Sequence, residues 1–234
     1  GTTPTLLGKD FITITDNADP QMHVVVYRRQ PDWKGQREVC QVPVFTPNRS
    51  VTDNGMIGYR NSVIVTNNYG YDKPTRPVWT EGGVTRIDIN PDGKGCRVVW
   101  NSPEAAQTVV PKLSTKTGLI YLYTREPVPG FDAQKDAAYA WYLTAVDYAT
   151  GATRFKVLTG TGLNYNNNWA PITLSPWGTA YVGVLGGLVA VKDGPPDGDI
   201  TPQPPHKKEA ASKESASKES ASKAHGAHTA HGER

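Results

Sequence analysis

The residues with the most chemical reach in this chain are carboxylates and amides that recur at matching places. Thr15-Asp16-Asn17 and Thr66-Asn67-Asn68 each close a run of β-forming residues, and Asp53-Asn54 and Asn167-Asn168 each open one. Oxygen-rich sets of this kind suit a hard cation such as Ca²⁺, which takes about six to eight oxygen ligands. Asp16, Asp53 and Asn67 are the candidate metal ligands. Asp16 and Asp53 are also candidate nucleophiles or bases at a carbonyl that such an ion would polarise. His23 follows the Asp19-Pro20 turn and is a candidate general acid or base, although no Ser stands out in the sequence as its partner. A second set reads as ligand-binding: Asn17, Asn54, Asn67, Asn68, Tyr69, Lys112, Asn167, Asn168 and Trp169. Its amides and hydroxyl offer hydrogen bonds, Trp169 offers a face for a sugar or other ring, and Lys112 offers a cation to an anionic substrate. Each of these positions also has a plainer reading. Asn and Asp tolerate left-handed backbone and bond their own chain in turns, and Lys112 could equally close a hairpin.

These residues must be positioned by something regular, and the chain repeats itself. A short apolar run, a tight polar turn and a run of β-formers occur at Thr3–Thr15, Asn54–Thr66, Val110–Tyr123 and Ala170–Val184. Aligning Asp10, Asn61, Gly118 and Gly178 gives intervals of 51, 57 and 60 residues. Periods of this length with several short strands per unit point to a β-propeller, one unit per blade. The expectation is an all-β segment of about four four-stranded blades over residues 1–194, bounded near 1–46, 51–101, 107–160 and 168–193. Outer strands are expected at His23–Arg29, Arg37–Phe45, Val84–Asn90, Cys96–Trp100, Ala140–Asp147 and Thr153–Gly160. The fourth unit offers only Gly187–Asp193 after its hairpin, one strand short. That shortfall favours the C-terminal part of a larger ring, because a propeller closes by leaving no bare edge.

Antiparallel strands send alternate connections to opposite faces. The loop leading into each unit and the loop between its second and third strands share a face, and nearly all the suggestive residues fall there, Tyr71, Arg125 and Glu126 among them. The other face carries plain turns such as PDWKG and PDGKG. Loops on a rigid scaffold are where binding concentrates.

Composition narrows the classes. The chain has 234 residues with 23 Gly and 19 Pro, enough to bury a real core. Six Lys/Arg and four Glu lie beyond Ile200, leaving 25 − 6 = 19 basic and 22 − 4 = 18 acidic side chains in the body. With no basic stripe, nucleic acid is not an expected partner. No apolar run is long enough to span a bilayer, and a monomer is expected. Residues 195–234 read as a Pro-rich linker and a disordered Ala/Ser/Lys/Glu/His tail. Within it His225, His228 and His231 are spaced by three and read as incidental. Cys40 and Cys96 are either two separate buried thiols or a bond between consecutive blades in an oxidising compartment. Nothing matches a nucleophile elbow, an HExxH helix or a phosphate-cradling glycine loop.

The segment Ala145–Gly160, with Ala145, Asp147, Thr150, Gly151 and Phe155 in an A-x-D-x-x-T-G pattern, resembles the repeats of quinoprotein-like (PQQ-like, YVTN-type) propellers. The segments GTTPTLLG, TITDNADP, NNYGY and GTAYVGVLGGLVAV are similar to a group of secreted bacterial propeller proteins without an assigned activity. The resemblance covers residues 1–193 and implies a secreted or periplasmic protein with more blades upstream. That group carries Glu-Asn-Ser where this chain has Asp53-Asn54-Gly55. Quinone enzymes of this shape use adjacent cysteines, which are missing here, so the resemblance implies the fold and not the quinone. A looser likeness is to calcium-dependent lactonase and phosphotriesterase propellers. The expected function is ligand or partner binding at the Asp/Asn/Tyr-rich mouth, of a small molecule, carbohydrate or protein. The competing expectation is a calcium-dependent lactonase or esterase, with quinone-dependent dehydrogenation third. Ca²⁺ is the one cofactor considered.

Overall fold

The computed structural model describes residues 2–73, 80–131 and 138–194. The predicted tail, 195–234, and its three spaced histidines lie outside them. The described chain is built of strands, with one short 3₁₀ turn at Leu163–Tyr165. The first sheet holds β1 (Thr5–Leu7), β2 (Phe11–Thr15), β3 (His23–Arg28) and β4 (Glu38–Pro43). The second holds β5 (Ile57–Tyr59), β6 (Ser62–Thr66), β7 (Val84–Ile89) and β8 (Cys96–Ser102). The third holds β9 (Lys112–Ser114), β10 (Leu119–Pro127), β11 (Tyr139–Asp147) and β12 (Thr153–Thr161). The fourth holds β13 (Ile172–Leu174), β14 (Thr179–Val184) and β15 (Gly187–Lys192). Each sheet is an antiparallel meander in chain order. Three have four strands and the fourth has three, as its sequence foretold.

Burial follows strand position. The second strands alternate or are wholly buried: Phe11, Thr13 and Thr15 point inward on β2, and all five residues of β6 are covered. A strand buried on both faces belongs to a sheet sandwiched between two others. The last strand of the third sheet, β12, is exposed along most of its length. One core cluster joins Leu7, Met22, Val24 and Val26 of the first sheet to Val63, Val65 and Ile87 of the second. A larger one runs from Ile64 and Trp100 through Ile120, Leu122 and Trp141 to Ile172 and Val182 of the fourth. The sheets therefore pack face to face in chain order. A bulge recurs between the third and fourth strands of the first three sheets, where it increases local twist.

Close approach at the first strands requires small residues. A Cβ on Gly58 of β5 would lie 2.7 Å from the Leu6 carbonyl of β1. Gly151, at φ +76, would drive a Cβ into the Trp100 ring, so the A-x-D-x-x-T-G turn also serves as a seat for the second sheet. First strands side by side and sheets stacked in order are compatible with a propeller-like fold.

Cys40 and Cys96 are bonded, with Cα atoms 5.8 Å apart. Outer strands of radially packed sheets splay apart, which works against such a bond, yet β4 and β8 lie alongside one another, so the covalent link ties the first two sheets at their outer edges. A second difference concerns Arg125 and Glu126. Expected in a loop, they extend β10, pairing with Trp141 and Ala140 of β11.

Candidate functional site

The loops leading into each sheet and the loops between second and third strands meet at one rim, and most of their amides bond across it. Thr2 and Thr15 exchange bonds between backbone N–H and side-chain hydroxyl at 3.1 and 3.3 Å. The Asn17 side chain donates to the Thr52 carbonyl and accepts from the Thr52 N–H, both at 3.0 Å, joining the first sheet to the loop before the second. Asn67 Oδ1 accepts from Val51 and Tyr69 N–H while its Nδ2 donates to the Arg49 carbonyl. Asn68 Oδ1 accepts the Asp53 N–H at 3.1 Å. Asn54 Nδ2 donates to Thr66 Oγ1 and to the Gln107 carbonyl ahead of β9. The Thr108 hydroxyl donates to Asn167 Oδ1 at 2.7 Å, reaching the loop before β13. A bonded belt thus crosses all four sheets.

Burial shows what this belt can do. Asn54, Asn67, Asn68 and Asn167 are at most 4% exposed. They hold the loops in place and offer little to a solute. The atom left over is Asn54 Oδ1, which is buried without a partner.

The open part of the rim is aromatic. The Tyr71 hydroxyl donates to Asn168 Oδ1 at 3.0 Å, and its ring meets Trp169 edge-on at 5.8 Å between centroids. Burial pushes the Tyr71 phenol up, against the opposing pull of Asn166 and of the Arg125 charge, so it stays a neutral donor. Arg125, nearly buried, donates to Thr80 Oγ1 at 3.1 Å and lies 3.9 Å above the Tyr139 ring. Desolvation lowers its pKa, with Tyr139 and Tyr71 acting the other way. Gln107 bonds the same Thr80 hydroxyl. Asn168 and Trp169 are consecutive non-glycine residues at φ 37° and 71°. A bulky residue in left-handed backbone is an outlier costing about 1–3 kcal/mol, and such strain clusters at binding sites. Trp169 nevertheless stays 37% exposed.

The remaining candidates stand apart from this cluster. Asp16 Oδ1 caps the N–H groups of Ala18 and His23, and its Oδ2 lies 2.9 Å from His23 Nδ1. Partial desolvation pushes the Asp16 carboxyl up, but those amides and the imidazole outweigh it and hold the group below the usual range. Among the described residues no Ser, Thr or Cys side chain bonds His23, so the pair lacks a nucleophile to activate. Asp53 is exposed, with its N–H on Asn68. The metal set of Asp16, Asp53 and Asn67 does not fit an ion. Asn67 is fully buried with its carbonyl oxygen already accepting two N–H groups. Among the described residues no three His, Cys, Asp or Glu side chains gather for a metal. Lys112 is exposed on β9 beside the β9–β10 turn and lines a groove there, away from the rim.

Gln107, Thr108 and Thr80 escaped the sequence reading, and Arg125 was misplaced. The signal for the first two was present as a polar pair interrupting an apolar stretch just before β9. Arg125 followed a strand whose length the repeat did not fix.

Among the described residues no helix is long and apolar enough to cross a membrane. No protein-family model matches the chain. It is similar to an uncharacterised protein of Archaeoglobus fulgidus, 26% identical over 218 residues that take in 80% of this chain. The matched part makes up 41% of that protein's length, so the chain spans less than half of its relative.

Proposed function

We propose that this chain is part of a quinoprotein-like β-propeller, acting outside the cytoplasm, that binds a small organic or carbohydrate ligand at its loop rim. One observation carries the binding reading. Tyr71, from between β6 and β7, meets Asn168 and Trp169 from the loop before β13, 97 residues away, and two strained residues hold the indole outward. Two aromatic edges beside an amide and a phenol match a sugar, whose C–H face stacks on rings while its hydroxyls bond at the margin. Tyr69, partly exposed two residues before Tyr71, adds a second phenol to the polar margin. The finer fold reading is supported by the ordered stack of twisted sheets and by apolar side chains left exposed at its two ends, Leu6 at 56% on β1 and Leu188 at 67% on β15. The extracytoplasmic reading is supported by the Cys40–Cys96 bond, since such bonds persist in oxidising compartments.

The test is titration with maltopentaose, cellopentaose and chitotetraose, followed by tryptophan fluorescence and calorimetry. Saturable binding to one of them, lost in Trp169→Gly and weakened in Tyr71→Phe, is expected. Absence of binding to all three removes the carbohydrate reading.

A lactone or ester hydrolase that takes calcium on groups beyond the Asp16, Asp53 and Asn67 set is the competing reading, favoured by the Asp16–His23 pair as a general base toward water and by the readily ionised Asp16 carboxyl. A melting temperature unmoved by calcium up to about millimolar levels eliminates it.

A further inference from the structure

Two grooves of the molecule differ in charge. One, of about 340 Å³, lies between Phe45, Glu81 and Ser102. Its carboxylate is already engaged by the Thr46 hydroxyl and lies 3.5 Å from Arg49. The other, of about 450 Å³, lies where β9 and its turn meet β13. It is lined by Lys112 and Lys116, the hydroxyl residues Ser114, Thr115 and Thr173, and an apolar floor of Leu113 and Leu174. No carboxylate lines it.

The lysines set this groove apart. Several basic side chains in the described residues are matched to acids: Arg86 and Arg97 to Asp88, Arg154 to Asp147, and Lys156 to Glu104 and Glu126. Among the described residues, Lys112 and Lys116 have no ion-pair partner and no side-chain hydrogen bond. Other solvent-facing lysines, such as Lys9, Lys34 and Lys94, also stand without an acid, but neither groove is lined by them. Two like charges around one concave space repel each other, and an anion between them removes that repulsion while accepting hydrogen bonds from both ammonium groups.

We propose that this groove is a second binding site, for a small oxyanion: a phosphate- or carboxylate-bearing solute. Lys112, from the first strand of the third sheet, and Lys116, from the β9–β10 turn, hold the anion from two directions. The hydroxyls of Thr115 and Thr173 donate to its remaining oxygens. Ser114 Oγ accepts the Thr117 N–H at 3.4 Å, which leaves its own proton available to the anion. Leu113 and Leu174 accommodate the apolar body of an organic anion. The site is independent of the rim. Lys112 and Lys116 lie toward the turn end of the sheets, whereas Tyr71 and Trp169 lie at the loop end, so each can fail without the other.

The experiment is an NMR titration of the chain with inorganic phosphate and, separately, with succinate, at ionic strength held constant with sodium chloride. Saturable shifts confined to the amides of 112–116 and 173–174 are expected. They should weaken roughly tenfold or more in the Lys112→Gln, Lys116→Gln double variant, which loses two charge-assisted contacts. Both side chains are exposed, so folding should survive, and an unchanged far-UV spectrum checks it. As a second readout, phosphate should protect both lysines from acetylation by an activated ester, measured by peptide mass. A response to phosphate but not succinate assigns a phosphate ligand, and the reverse assigns a carboxylate. Shifts that do not saturate, or that are equal at Lys9, Lys34 and Lys94, show general charge screening and overturn the proposal.

Discussion

The two rims of the molecule use short polar side chains in opposite ways. At the turn end, Asp and Ser side chains bond backbone a few residues away. Asp92 accepts the Lys94 N–H, Asp147 accepts those of Ala149 and Thr150, and Ser175 accepts those of Trp177 and Thr179. At the loop end, Asn and Thr side chains join partners 35, 53 and 59 residues apart, from Asn17–Thr52 through Asn54–Gln107 to Thr108–Asn167. The first pattern makes a turn and the second makes an assembly. A turn-end bond is open to water on both sides of folding, so its net worth is small. A loop-end bond is buried, and removing one partner strands the other.

The largest effect that sharpens this contrast comes from the disulfide. Replacing both Cys40 and Cys96 by Ser releases a segment spanning 56 residues, for which chain entropy gives about 4 kcal/mol. Urea denaturation of the double variant measures it. A loss under about 1 kcal/mol would mean that the loop rim and the apolar cluster between the first two sheets hold them together without the bond. Next is Asn54→Ala, which leaves the Gln107 carbonyl and the Thr66 hydroxyl buried without their donor. It should lose about 2–3 kcal/mol, read from the same denaturation curve. An effect no larger than at a surface turn would break the comparison outright.

Acid should act on the turn end. Hydrogen bonds from Arg154, then from the Thr150 backbone, lower the Asp147 carboxyl to about 2 despite some opposing desolvation. A depressed acid stabilises the fold above its unfolded value near 3.8, and that contribution disappears as pH falls toward 2. Solvent screening keeps it under about 1 kcal/mol. Asp147→Asn should flatten stability between pH 4 and pH 2, a window that melting curves at stepped pH resolve. Asp92→Ala, at an exposed turn, should change stability by about 0.5 kcal/mol or less. Trp169→Gly should be close to neutral in a melting curve, because relief of the left-handed strain offsets the lost ring contact with Tyr71. A large destabilisation there would make Trp169 a packing residue and the rim a purely structural device.

The contrast also explains what the sequence made legible. Strand positions, turns and the missing fourth strand of the last sheet all rest on local periodicity, and the structure has most of them within a residue or two, the exception being β10, which runs to Pro127, four residues past the repeat's end at Tyr123. The gathering of Asp, Asn and Tyr at one rim followed from the alternation of antiparallel connections. The fate of each amide did not. Whether Asn54 faces a solute or the Gln107 carbonyl depends on a segment 53 residues further on, and no local pattern carries that. Lys112 was visible as a cation on a first strand, but the groove it shares with Lys116 exists only once β13 arrives. The cysteine bond was undecidable for the same reason: strand splay is a tertiary quantity.

One feature of the fourth sheet reaches beyond this chain's own packing. Among the described residues β15 pairs on one side only, with β14, where the other sheets place an outermost strand. Its free side presents a row of peptide groups ready to template an extended segment, whether from elsewhere in a longer polypeptide or from a separate partner. Amide exchange reads this directly. The free-side N–H groups of Gly187–Lys192 should exchange fast in isolation and become protected when a complementary segment zips onto them, so the molecule can be lengthened there without disturbing anything already folded.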